Sequence, residues 1–272
     1  MKTRVIVGLL VAAGFLACLF APFVAPMPLL GALCALLASR ELRALIPSRP
    51  TPVLHFALAC LVGLMAVVLP PLWGSLALAA VLAAGVWAAL TGRARLSILW
   101  PAAGLATLLG FFVRSESPFI EPLFLIVAPA TLGDTAALIF GKAWGRTPMA
   151  PKISPQKTWE GAAAHAVTAV LACIGFGALV GVSWAPAIAI GLVATVTGQA
   201  GDLLMSQLKR QAGAKDTGTL LPGHGGVLDR LDSIFASGPF VYFACVLLAP
   251  PELFHVKHLH WIDALGAALR LW

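Results

Sequence analysis

The sequence predicts an all-α fold, a polytopic helical bundle embedded in a membrane. Of the 272 residues, 60% are hydrophobic and only 11% charged, with a mean hydropathy of +0.95, whereas soluble domains carry roughly 25% charged residues. The apolar runs approach the ~20 residues that a helix needs to cross the hydrocarbon layer. They also lack the period-two alternation of barrel strands, so each run must satisfy its own backbone groups as a helix.

Taken in order, the apolar runs place about nine spans near residues 5–22, 25–39, 53–70, 72–91, 96–113, 119–141, 161–182, 184–203 and 231–250. Pro22, Pro26 and Pro28 divide the first apolar stretch, and the second piece is short for a full crossing, so a re-entrant pair is the alternative there. The start MKTRVIVGLLVAAGFLAC has the layout of a secretory signal, but Phe15 and Leu16 suit a lipobox ending at Cys18 poorly and further spans follow at once. An uncleaved first helix is expected. Cys18, Cys34, Cys60, Cys173 and Cys245 all lie in apolar runs without metal-ligand spacing, which marks them as small buried hydrophobes.

Orientation follows from the positive charges, because Lys and Arg in short loops favour the cytoplasmic side. A nine-span chain with its N-terminus inside leaves only Arg114, Lys257 and Arg270 of the 18 Lys and Arg on the far side. The net charge of +7 is then an orientation signal, and it needs no nucleic-acid partner. One domain, 1–272, accounts for the chain. Its polar residues gather in two cytoplasmic-side segments, 133–161 and 201–233.

In the first segment, LGDTAALIFGKAWGRTPMAPKISPQKTWEG, Asp134 stands about two turns inside the membrane end of its helix. An ionisable group at that depth is costly and is usually paired or functional; Lys142 is the nearest candidate partner. The Pro- and Gly-broken stretch beyond it carries Ser154, Lys157, Thr158 and Glu160. Lys157 and the hydroxyls could meet a phosphate, or SPQKTWEG could be a turn leading into a capped helix.

The second segment has the richer pattern. A helix continuing through GQAGDLLMSQLKR places Asp202, Ser206 and Lys209 on one face. The chain then loops through QAGAKDTGTLLPGHGG, too rich in Gly for a stable helix, and re-enters at VLDRLDSIF with Asp229 and Asp232 near the helix start. Carboxylates hold Mg²⁺, which keeps most of its shell for water and substrate phosphates. Lys and Arg neutralise phosphate oxygens, and Gly-rich backbone at a helix start lets N–H groups approach them. Phosphate with a hard metal is the chemistry this combination suits, the Asp residues holding metal and the cations holding substrate.

The run SQLKRQAGAKDTGTLLPGHGGVLDRLDS resembles the signature of the phosphatidate cytidylyltransferases, or CDP-diacylglycerol synthases: S-x-[apolar]-K-R-x4-K-D-x-G-x2-[apolar]-P-G-H-G-G-[apolar]-x-D-R-[apolar]-D. Every fixed position is filled. GDTAALIFGKAWG and PKISPQKTWEG are similar to that family's other block, although the family often has an aromatic residue where Ala137 stands and Lys where Gln156 stands. The resemblance implies metal coordination by Asp202 and Asp229, with Asp216 and Asp232 as further acids. It places Lys209, Arg210, Lys215, His224 and Arg230 around the phosphates. Ser154, Lys157 and Thr158 would contribute from the first block, and Ser206, Gly225 and Gly226 would line the substrate.

The implied reaction is CTP plus phosphatidate giving CDP-diacylglycerol and pyrophosphate, with Mg²⁺ and room for a second metal or a monovalent cation. The implied setting is a bacterial-type cytoplasmic (inner) membrane with the site on the cytoplasmic side, and a homodimer is the candidate assembly. Two alternatives are a transporter using intramembrane Asp residues and another metal-dependent lipid-phosphate transferase. The transporter has little use for GHGG and a cation-crowded DRLD helix start, and the D-G-x2-A-R-x8-G-x3-D-x3-D arrangement of CDP-alcohol phosphatidyltransferases is missing. In the tail, His255, His258 and His260 with Trp261 and Trp272 fit an interfacial amphipathic segment better than a metal site. His165 reads as a satisfied packing residue.

Overall fold

The computed structural model describes residues 26–45, 121–221 and 225–250, apart from the isolated positions Ala13 and Val81. The expected spans near 5–22, 53–70, 72–91 and 96–113, the three tail histidines and His224 lie outside the described residues. Within them the chain forms α1 (Pro26–Leu45), α2 (Glu121–Trp144), β1 (Pro148–Ala150), β2 (Ser154–Thr158), α3 (Trp159–Leu179), α4 (Trp184–Gln211) and α5 (Leu228–Leu248). Among the described residues, four helices are long and apolar enough to cross a membrane: α3, α4, α5 and the Phe124–Trp144 part of α2. The fold is mostly helical, as expected, with one amendment to the all-α reading. Where a broken loop was expected, β1 and β2 pair as an antiparallel ribbon.

The exposed surface of the bundle is apolar, with Leu138, Ile139, Val167, Leu171, Leu192 and Val196 pointing outward. A bilayer makes that arrangement favourable where water would not. Trp144 and Trp159 stand exposed at one end and Trp184 at the other. The 21 residues of α3 between them rise about 32 Å, which is close to the hydrocarbon thickness, and Trp favours the two interfaces. At 28 residues, α4 is about 42 Å long, so its last two turns continue beyond the layer on the Trp144 side.

Helix α5 is the innermost of the four, with 67% of its apolar window buried against 28–39% for the others. Tyr242, Val241 and Cys245 on it pack with Leu125 and Ile126 of α2 and Ile190 of α4. In a lipid solvent, association depends on close van der Waals contact, which favours small residues between helices. A Cβ on Gly201 of α4 would overlap Ala236 of α5, and one on Gly161 of α3 would come 2.9 Å from the Ala137 carbonyl of α2. Pro129 inside α2 removes the amide that would serve the Leu125 carbonyl. The Cys173 thiol of α3 approaches that oxygen at 4.0 Å, so a neighbouring helix partly replaces the lost bond.

Helix α1 runs two turns past its expected end near residue 39. It presents Ala38, Leu42 and Leu45, all buried, on one face, and Ala38 and Leu42 pack with Met205 and Leu208 of α4 and Leu228, Phe235 and Ala236 of α5. The end of α1, the end of α2, the β-ribbon, the end of α4 and the start of α5 therefore lie at one end of the bundle. That agrees with the relative sidedness drawn from the charges.

Candidate active site

A cavity of about 670 Å³ opens among the polar ends of the helices. It brings together Ser154, Lys157, Thr158, Asp202, Lys209, Asp216, Asp229, Arg230 and Asp232 from the two segments singled out in the sequence. Asp134, Gln156, His165 and Gln199 also line it, and on α2 it reaches down to Ala130 and Thr131. Asp134 is ten residues from Trp144, about 15 Å inside the membrane end of α2. The cavity thus joins the aqueous end of the bundle to the depth of the lipid.

The ribbon carries the first block. Thr147 donates from its amide (3.2 and 3.3 Å) and its hydroxyl (3.0 Å) to Glu160, and Trp159 N donates to the Thr147 carbonyl at 3.0 Å. These bonds fold the segment back onto the start of α3. Thr158 is the N-cap of α3, accepting from Gly161 N at 3.2 Å, so the capped helix start read from SPQKTWEG is present, preceded by a strand rather than a turn. Lys157 leaves β2 to meet Asp202 of α4 at 2.5 Å.

The exit of α4 is set by Gly213 at φ +67, a left-handed conformation that glycine adopts without a Cβ clash. Ala214 N bonds the Lys209 carbonyl at 2.8 Å and Gly213 N bonds the Arg210 carbonyl at 3.1 Å, which closes the helix as a Schellman motif. Lys209 reaches Asp229 of α5 at 2.7 Å. The other Asp229 oxygen, Oδ2, accepts from Thr217 N (2.8 Å), Thr217 Oγ1 (3.0 Å) and Gly226 N (2.9 Å). Gly225, at φ +83, turns the chain where a Cβ would press on that carboxylate.

Other residues from the sequence reading fall outside the lining. Ser206 is buried away from the cavity: with about 100° per residue it sits 40° to one side of Asp202, while Lys209 sits 20° to the other. Arg210 ties the ribbon to the α4 exit through the Ile153 (3.3 Å) and Ala214 (3.1 Å) carbonyls. Lys215 is exposed, and Gly225 and Gly226 shape the turn behind Asp229.

Two partner assignments are corrected. Asp134 does not pair with Lys142, which is exposed one helix face away; it accepts from Ser233 Oγ at 3.2 Å and lies 3.4 Å from His165 Nε2. His165 is buried, yet neither ring nitrogen makes a hydrogen bond among the described residues, so it is not the satisfied packing residue expected. The sequence reading also missed Glu41 of α1, which accepts from Val227 N (2.9 Å), Leu228 N (2.8 Å) and Thr217 Oγ1 (2.9 Å). Its one signal was indirect: Val227, at the N-cap position of α5, has no side-chain acceptor to offer.

Asp202 and Asp229 face the same cavity, each paired with a lysine. Together with Asp134, Asp216 and Asp232 they outnumber Lys157, Lys209 and Arg230 in the lining. Among the described residues no three His, Cys, Asp or Glu side chains form a preassembled metal cage.

Membrane-length helices with an acid-rich, lysine-bearing cavity at one polar end define a multi-pass membrane protein. The chain belongs to the cytidylyltransferase family, whose sequence pattern matches residues 2–248. It is 38% identical over 162 residues to a phosphatidate cytidylyltransferase of Brucella suis, covering 57% of this chain and 60% of that protein. It is 40% identical over 128 residues to one from Mycobacterium bovis, covering 46% and 42%. A third match, 46% identical over 115 residues, is to phosphatidate cytidylyltransferase 5, chloroplastic, of Arabidopsis thaliana, covering 40% and 28%. The matched stretch spans less than two thirds of each of these relatives.

Proposed function

We propose that this protein transfers CMP from CTP to phosphatidate, releasing pyrophosphate and forming CDP-diacylglycerol. The observation that carries the reading is the folding of the two motif segments around one cavity that runs from the polar end of the bundle into the membrane. The names of its relatives, phosphatidate cytidylyltransferases, support it.

A phosphatidate phosphomonoester oxygen attacks the α-phosphorus of CTP, and the bond to pyrophosphate breaks in line. The nucleophile is largely ionised near neutral pH and needs no strong base, so catalysis consists of positioning and charge neutralisation. Lys157, Lys209 and Arg230 line the cavity and would neutralise phosphate oxygens. Thr158 accepts from Gly161 N, which leaves its hydroxyl proton for an acceptor in the cavity.

Acid excess in a cavity meant for phosphates calls for added cations, and the carboxylates fit Mg²⁺. Asp229 Oδ2 already faces three donors, two of them backbone amides, so Asp229 Oδ1 and the second oxygen of Asp202 are the atoms with capacity to hold it. When bound, Mg²⁺ supplies Lewis-acid charge stabilisation and a template for the phosphates. A second metal or a monovalent cation has the remaining acids available.

The same proposal includes the nine-span, N-inside topology, one catalytic domain, a cytoplasmic site in a bacterial-type inner membrane, and a homodimer. Labelled CMP transfer from CTP to phosphatidate, with and without Mg²⁺, tests the activity. Wild-type protein without turnover, or an Asp202→Asn variant with undiminished turnover, overturns it. Asp202 is held by Lys157 of β2 and not by the 217–229 turn, so its substitution spares that turn.

A further inference from the structure

We infer that Glu41 is a positioning residue for this site: from α1 it supplies the helix cap that α5 lacks and fixes the turn that holds Asp229. The inference rests on the proposed function only in its activity arm. Three hydrogen bonds of 2.8–2.9 Å join Glu41 to residues 176 to 187 positions away. The start of α5 has Val227 at its cap, with no side-chain bond to the orphan amides. Glu41 Oε1 takes Val227 N and Oε2 takes Leu228 N, and a negative charge at a helix N-terminus is also favoured by the helix dipole.

The link to Asp229 runs through Thr217. Its buried hydroxyl lies 2.9 Å from Glu41 Oε2 and 3.0 Å from Asp229 Oδ2, and a hydroxyl has one proton, so it serves one carboxylate at a time. Gly226 completes the junction. A Cβ there would overlap the Glu41 carboxylate and the Thr217 hydroxyl, so this glycine of GHGG makes room for Glu41. The amides of Gly226, Val227 and Leu228 are thereby all held by carboxylates. A phosphate reaching them would have to displace one, which moves the burden of phosphate binding onto the lysines and the metal. Glu41 does not line the cavity, so it acts through Asp229 and not on substrate.

Hydrogen–deuterium exchange on the full chain in detergent tests the junction, with Glu41→Ala and Glu41→Gln compared to wild type. Both should speed exchange in peptides covering 217–228, about tenfold or more for Ala, while peptides from the ribbon at 147–158 keep their wild-type rates. Thr217→Val should add less in the Glu41→Ala background than alone, because the two share one contact. In CMP transfer, Glu41→Gln should lower kcat about tenfold and leave the KM for CTP within about twofold. Unchanged exchange at 217–228, or an equal rise in the ribbon, overturns the cap. Faster exchange with unchanged kcat overturns the positioning role. A wild type that shows the exchange response yet transfers no CMP upholds the cap and removes the functional reading instead.

Discussion

The ribbon between α2 and α3 and the turn between α4 and α5 both deliver residues to the cavity, but they are stabilised at different ranges. The ribbon folds on itself through Thr147, Thr158 and Glu160, partners no more than 13 residues apart, and Arg210 then ties it to α4 across 57 residues. The turn depends on Glu41, which reaches Thr217, Val227 and Leu228 across 176 to 187 residues. A locally closed segment can form as soon as its helix does. A segment capped from a distant helix takes its shape only when α1 has docked, so damage far away in sequence should be felt at Asp229.

The largest expected effect breaks the symmetry between the two paired acids. Asp202→Asn should reduce CMP transfer about a hundredfold or more, since metal charge stabilisation is worth several kcal/mol, while thermal stability in detergent changes little. Asp229→Asn should lose as much activity and also loosen the turn, visible as faster exchange at 217–228, because Oδ2 holds the Thr217 and Gly226 amides there and shares the Thr217 hydroxyl with Glu41. Equal exchange in the two variants would erase the distinction between them.

Gly226→Ala sharpens the same contrast. Forcing a Cβ against Glu41 and Thr217 should destabilise by about 1–3 kcal/mol, the usual range for overpacking. Combined with Glu41→Ala, which empties that space, the penalty should shrink, and calorimetric or fluorescence unfolding would measure the coupling. Thr158→Ala should cost about 1 kcal/mol through its lost N-cap, with exchange rising at the start of α3 and not in the turn. Glu160→Gln, on an exposed local pairing with Thr147, should leave unfolding and turnover near wild type. A large loss of turnover there would show that the ribbon depends on the Glu160 charge itself.

Much of this architecture was legible before any coordinates. Apolar length located the four membrane-length helices within a few residues, and the expected continuation through GQAGDLLMSQLKR is present in α4, which ends at Gln211; α1 runs on past its expected end to Leu45. Periodicity put Asp202 and Lys209 on one face of α4, and the signature run placed Asp229 at the start of α5. The β-ribbon was not legible, because a Pro-rich stretch with a five-residue strand offers no periodicity to distinguish it from a loop. Nor were the partners of Asp134, since Ser233 and His165 come from two other helices.

By itself the sequence determined the solvent and where the polar groups gather: a chain this apolar must satisfy its backbone in helices, and its few acids and lysines are concentrated in two motif segments. Only the tertiary structure decided who holds whom. Lys157 answers Asp202, Lys209 answers Asp229, and Glu41 caps α5. The reason is physical. Composition and period depend on each residue's own transfer energy and on neighbours within a turn or two, whereas a cap or an ion pair between helices depends on how α1, α4 and α5 pack, and the small residues and buried apolar faces between them set that distance.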